Sequence, residues 1–356
     1  MEIWPCRRRL PSRPEIRKAG GSGRWRQMAI PAFALCAGIL LTATTPARAE
    51  EQISIAYQPI VNGPLWIARH EGYFKKLGLH VNFIKFTSGP AQFAALQGGR
   101  VNLAWGGIGP FMLARANGAN VVWIATVENY NPLEDLVVAK GSPITKVSQL
   151  RGKKVALVVG SDADYGMLQA LKQAGMKPAE VTILNMQPPA QVAALLNGDI
   201  TSAFTWSPFV NQILDRGGKS IFSNGSLPVG PGFLGWAGQK KWLDAHKTAL
   251  IKLFEGWDMG YKKMQQSPAL AAKYSVEYTG ITLAQAKAMQ SRLGYFPAAA
   301  MLDPKSQVYF APGSGLYRFL TDFMAFGEMK KLVRGKIAPV QYVDLDYLKA
   351  FVKKSQ

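Results

Sequence analysis

The sequence predicts an α/β fold in two lobes, with mixed, mostly parallel sheets and helices on both faces. Three observations lead there. Short apolar strands alternate with helical segments in two successive series; a Lys140-Gly141-Ser142-Pro143 loop separates the series; and beyond Gly238 the chain reads as almost entirely helical. The composition is globular, with 48% hydrophobic and 18% charged residues in 356, enough to bury a large core without covalent staples.

The elements follow in order. Ile53–Tyr57 alternates β-branched and polar residues as a strand does, and Gly63-Pro64 opens a helix, with proline where its missing N–H costs nothing. Leu79–Ile84 is the next strand, Ser88-Gly89-Pro90 opens a helix, Val101–Ala104 is a strand, Gly109–Asn117 a helix and Val121–Val127 a strand. Leu136–Ala139 leads into the separating loop. The second series reads Lys154–Val158, Val181–Leu184, Thr201–Phe204 and Ser220–Phe222 as strands, with helices at Ala163–Ala174, Ala190–Asn197 and Ser207–Asp215. Gly225–Gly238, rich in glycine and proline, reads as a return crossing. Helices are expected at Lys241–Gln265, Pro268–Tyr278, Leu283–Leu293, Leu316–Leu332 and Leu345–Lys353.

Residues 1–49 stand apart. A basic stretch with Arg7-Arg8-Arg9 precedes an apolar run from Met28 to Leu41 and an Ala47-Arg48-Ala49 triplet, the pattern of an export signal cleaved after Ala49. The run is shorter than the roughly 20 apolar residues of a membrane span, although a retained anchor is the alternative. The formal charge of +20 falls to 33 basic against 20 acidic residues once this segment is removed. Cys6 and Cys36 leave with it, which excludes disulfides, cysteine nucleophiles and thiolate metal sites from the exported chain. His70, His80 and His246 lack metal-ligand spacing. There is no G-x-S-x-G or P-loop, and basic residues rarely interleave with aromatics, so neither hydrolase-type catalysis nor nucleic-acid binding has a signature. No cofactor or metal is expected.

Parallel α/β sheets bind ligands beyond the carboxyl ends of their strands, where helix N-termini present free N–H groups. The loops there contain Tyr57, Gln58, Ser88, Gly89, Trp105, Gly106, Gly107, Glu128, Asn129, Ser161, Asp162, Gln187 and Trp206, to which Glu134 and Tyr165 are added as candidates. Neutral hydrogen-bonding groups, glycines and aromatic walls suit a small polar solute held without bond chemistry. Structural readings stand beside these: Trp105 as core at a strand end, Trp206 as helix-entry packing, Ser161 as a helix cap.

Glu71-Gly72-Tyr73-Phe74 with Leu77-Gly78-Leu79-His80-Val81 resembles a motif of periplasmic solute-binding proteins of ABC importers, in the nitrate/sulfonate/taurine branch. Leu150-Arg151-Gly152-Lys153-Lys154-Val155-Ala156 is similar to that family's entry to the second lobe, and the runs at 181–190, 197–200 and 206–208 are similar to taurine-type binders. The resemblance implies a type II periplasmic-binding (Venus-flytrap) fold. Its first lobe would be 50–137 with 226–356 and its second 138–225. It also implies a monomeric, non-enzymatic periplasmic receptor that delivers a taurine-like or other aliphatic sulfonate to a membrane permease and ATPase. One departure bears on the ligand. Gly160-Ser161-Asp162-Ala163-Asp164-Tyr165 places two carboxylates where sulfonate binders carry neutral residues. Either both acids face solvent, or the ligand brings a positive group, as taurine, a cationic amine or a heterocycle such as a pyrimidine thiamine precursor would. A pyrimidine-synthesis enzyme of the same superfamily is the remaining alternative, and the cysteine-free mature chain argues against it.

Overall fold

The computed structural model describes residues 51–335 and 337–355. The expected export signal and its cleavage point lie outside them. Two sheets organise the chain. The first has the order β11-β4-β10-β3-β1-β2, formed by β1 (Glu51–Tyr57), β2 (Leu79–Lys85), β3 (Leu103–Gly107), β4 (Val121–Asn129), β10 (Phe233–Gln239) and β11 (Gly294–Tyr295). The second runs β7-β6-β8-β5-β9, formed by β5 (Glu134–Val138), β6 (Lys154–Leu157), β7 (Thr182–Asn185), β8 (Ser202–Trp206) and β9 (Lys219–Ser223). β1 pairs in parallel with β2 and β3, and β6 with β7 and β8. β10 is antiparallel to β3 and β4, and β5 is antiparallel to β8 and β9. Among the described residues no helix is long and apolar enough to cross a membrane.

In the first lobe, α1 (Gly63–His70), α2 (Tyr73–Lys76), α3 (Gly89–Gln97) and α4 (Ile108–Ala116) accompany the early strands. In the second, α5 (Asp162–Gln173), α6 (Pro188–Asn197) and α7 (Phe209–Leu214) do so. The C-terminal part supplies α8 (Lys240–Ala245), α9 (Lys247–Gln266), α10 (Pro268–Thr279), α11 (Leu283–Gln290), α12 (Gly315–Met329) and α13 (Asp346–Ser355). Local chemistry sets these ends. Asn62 Oδ1 accepts from the Leu65 N–H at 2.7 Å to cap α1, and Thr282 and Gln285 form a reciprocal capping box on α11. Gly198 and Gly280 close α6 and α10 at φ of 83° and 75°, a region that favours glycine.

The core of the first lobe is one aromatic-rich cluster in which Trp66, Trp105, Trp123, Trp236 and Trp257 are fully buried. The second lobe packs two smaller, mainly aliphatic clusters on opposite faces of its sheet. Leu136 and Val138 point to one face and Val137 to the other, as the period of two in a strand requires.

Four expectations need correction. The segment read as a return crossing contains β10, a central strand; its glycines sit where a side chain would strike a neighbour, as at Gly235 against the Ala125 backbone and Trp123. β5 lies wholly in the second sheet, so the first crossing is residues 130–133 and a lobe boundary after Val137 would cut that strand. The Lys140–Pro143 loop that drew the boundary there is a turn within the second lobe. The helix expected over Lys241–Gln265 breaks at His246, whose φ/ψ of −124°/34° is not helical. The helix expected to reach Leu293 ends at Gln290, and Gly294–Tyr295 pairs with β4 instead.

Candidate functional site

The two sheets aim their loops at a shared cavity of about 20 Å³. Contacts such as Tyr165 on Phe323 and Thr87 to Gln187 hold the two lobes together around it. The first lobe lines it with Gln58 and Ile60 after β1, Gly89 at the start of α3, Gly107 and Pro110 at the start of α4, and Leu234 on β10. The crossing contributes Tyr130. The second lobe contributes Glu134 at the start of β5, Ser161 and Asp162 at the opening of α5, and Trp206 at the end of β8.

The charges come from one side only. Glu134 is 5% exposed and its Oε2 accepts from Asn224 Nδ2 at 2.7 Å. Burial pushes its pKa up to about 8; the Asn224 bond opposes the rise and the charge of Asp135 adds to it. Asp162 is 8% exposed, and burial followed by the negative charge of Glu134 holds its carboxyl well above the usual range, against the lowering effect of the Gly109 and Asp162 amides. No lysine, arginine or histidine lines the cavity. Two carboxylates so placed are costly to ionise unless a cation joins them. The neutral groups are already positioned. Tyr130 donates to the Ser207 carbonyl at 2.9 Å and Ser161 to that of Val158 at 2.7 Å, while Gln58 Oε1 is buried without a protein partner.

Of the residues singled out in the sequence, Gln58, Gly89, Gly107, Glu134, Ser161, Asp162 and Trp206 meet at the cavity. The others lie elsewhere. Tyr57 packs edge-on against Trp66 and Phe83 in the first core. Trp105 is fully buried beside Trp66, its carbonyl accepting from Gln92 Nε2, and a side chain on Gly106 would meet Gln92. Trp105, Gly106 and Gly107 form the end of a strand rather than a loop. Glu128 is sealed inside the first lobe, where Asn62 Nδ2 donates to its Oε2 at 2.6 Å and burial raises its pKa strongly. Asn129 accepts from the Asn131 backbone and side chain in the crossing. Ser88, next to Gly89, is buried with an unpartnered hydroxyl but does not line the cavity.

Three more residues join the lobes instead of lining the cavity. Tyr165 stacks on Phe323 with ring centres 5.1 Å apart and meets Phe319 and Phe326 edge-on, all on α12. Beside it Asp164, 2% exposed, pairs with Lys330 at 3.2 Å. Neither Asp162 nor Asp164 therefore faces solvent. Exposed Gln187 accepts from Thr87 Oγ1 at 3.2 Å across the cleft mouth. Ile60, Pro110 and Leu234 escaped sequence reading, and Tyr130, which belongs to the ligand-facing loop Glu128-Asn129-Tyr130, was not among the residues singled out. Tyr130 alone had a signal, its place in the loop after β4. Among the described residues no group of three His, Cys, Asp or Glu side chains is arranged to hold a metal.

Comparison with known proteins agrees with this architecture. The chain is 35% identical over 170 residues to the taurine-binding periplasmic protein of Escherichia coli, a match covering 48% of this chain and 52% of that one, so the chain spans about half the length of that relative. The alkanesulfonate-binding protein of Xanthomonas axonopodis pv. citri, solved bound to MOPS, superposes with a TM-score of 0.71 at 18% identity, covering 83% of this chain and 98% of that one. A desulfurization enzyme superposes with a TM-score of 0.66 at 12% identity, covering 86% of this chain and all (100%) of that one, so carriers and an enzyme share the two-lobed fold. Residues 61–271 match the family described as NMT1/THI5 like, and the chain belongs to that family.

Proposed function

We propose that the chain is the periplasmic substrate-binding component of an ABC importer and captures a taurine-like aminosulfonate. The observation that carries this reading is the cavity between the lobes, with two buried carboxylates and no lining cation. The ligand's ammonium group would sit against Glu134 and Asp162, with Trp206 and Tyr130 as walls. Its sulfonate would meet the first lobe near the Gly89 amide, at the start of α3. The taurine-binding relative supports the sulfonate half of this assignment. The lobes would be 51–129 with 233–355, and 134–223, hinged at 130–133 and 224–232. The closed, ligand-bound monomer would then be the form recognised by a membrane permease and its ATPase. A second reading, favoured by the same two carboxylates, is a cationic or heterocyclic amine without a sulfonate.

Calorimetry on the exported chain tests both readings with taurine, isethionate (hydroxyl in place of the amine), ethanesulfonate and choline. Taurine binding at least tenfold tighter than isethionate supports the aminosulfonate. Equal affinity for the two removes the role given to the carboxylates, and choline binding alone selects the second reading. Recovery of the bound solute unchanged separates a carrier from an enzyme.

A further inference from the structure

Asp162 does more than line the cavity. α4 begins at Ile108 on an N-cap, Gly107, that has no side-chain cap bond, and its first turn contains no acidic residue. Its free amides are therefore a ready anion seat. The Asp162 carboxylate, arriving from the opposite lobe, fills that seat. A Cβ on Gly107 would collide with its Oδ2 and one on Gly109 with its Oδ1. The residue is more than nine-tenths buried, and Oδ1 points there without a well-directed hydrogen bond of its own. Two glycines at the mouth of a helix leave space for an acceptor; here a side chain of the protein uses that space.

We infer that the Asp162 carboxyl group is an internal occupant of this seat and a specificity-determining residue: in the closed form it fills the α4 N-terminus and excludes a ligand's anionic group from it. The consequence is directional. Any acidic end of the ligand is driven to another part of the cleft, and only a group that tolerates or pairs with a carboxylate approaches α4. The inference rests on the cleft described above as the binding site, but not on taurine being its ligand.

The test measures ethanesulfonate binding by calorimetry to the wild-type chain and to Asp162→Ser, Asp162→Gly and Asp162→Ser/Gly107→Ala, with thermal melts to establish folding. Removing the carboxylate should open the seat, so Asp162→Ser, or Asp162→Gly if the serine variant does not fold, should bind ethanesulfonate at least tenfold more tightly than wild type. Adding the Gly107 methyl should close the seat again and abolish the gain. No gain in any folded Asp162 variant overturns the inference, as does a gain that survives Gly107→Ala. Failure of taurine to bind wild type would sink the functional reading alone, because the ethanesulfonate comparison does not depend on it.

Discussion

The two lobes treat a ligand differently. The first is the larger scaffold, with five fully buried tryptophans in a continuous core, and it offers the cavity only neutral or apolar groups such as Gln58, Ile60, Gly89 and Leu234. The second has a thinner core split across its sheet, yet it supplies both charges, Glu134 and Asp162. Shape is set by the lobe with the stronger core and charge by the one with the weaker. Burying two carboxylates costs free energy, and placing them where the lobes meet lets ligand binding and closure offset that cost together. The same division explains the clamp. Tyr165 and Asp164, one turn or less from Asp162, dock on α12 of the C-terminal region, so the charged edge of the second lobe is held by aromatic contacts with the first.

The largest test of this division is Glu134→Gln. The amide keeps an acceptor for Asn224 but loses the charge, so taurine affinity should fall by about 3 kcal/mol, roughly 100-fold, while isethionate changes little. Comparable loss for both solutes would mean that Glu134 shapes the cavity rather than reading charge. Next in size, Tyr165→Ala should lower unfolding stability by roughly 3 kcal/mol in a denaturant titration, because it empties the pocket among Phe319, Phe323 and Phe326. An unchanged midpoint would show that α12 does not clamp the second lobe.

A smaller effect concerns pH. Glu134 ionises near 4.5 when unfolded and at about 8 when folded. Between those values the folded state binds more protons, so its stability is highest below about pH 4.5 for this group and declines as pH rises towards 8. The ligand-free protein should therefore melt a few degrees lower at pH 8.5 than at pH 6, measured by calorimetry. Glu134→Gln should flatten the slope, and an ammonium ligand, which favours the ionised form, should bind more tightly as pH rises through the same window. A slope of opposite sign would contradict the assignment. The smallest effect is expected for Thr87→Val, which removes an exposed hydrogen bond to Gln187; stability should change by no more than about 0.5 kcal/mol. A larger loss would give the cleft mouth a share in closure that the core contacts do not predict.

Most of the architecture could be read from the chain, because strand alternation, helix entry at Gly63-Pro64 or Ser88-Gly89-Pro90 and the turns between them are local properties. β10 was illegible because its glycines, which look like loop residues, are required by close contact with Ala125 and Trp123. The site divides in the same way. Gln58, Gly89, Gly107, Glu134, Ser161, Asp162 and Trp206 follow or open strands and helices at the lobe edge, a position visible from the alternation alone. Ile60, Pro110 and Leu234 carry no chemical signal, and only their convergence makes them walls.

By itself, then, the sequence determined that this is a two-series α/β chain with polar loops at its strand ends and an acidic Asp162–Asp164 pair where a helix begins. What those acids do was decided by the tertiary structure. Asp164 turns to Lys330 and Tyr165 to the α12 aromatics, while Asp162 fills the space beside Gly107 and Gly109 at the start of α4. Neighbouring residues on one helix thereby acquire separate roles. Helical geometry sends successive side chains in different directions, and what each one meets belongs to segments far away in the chain, which no local pattern encodes.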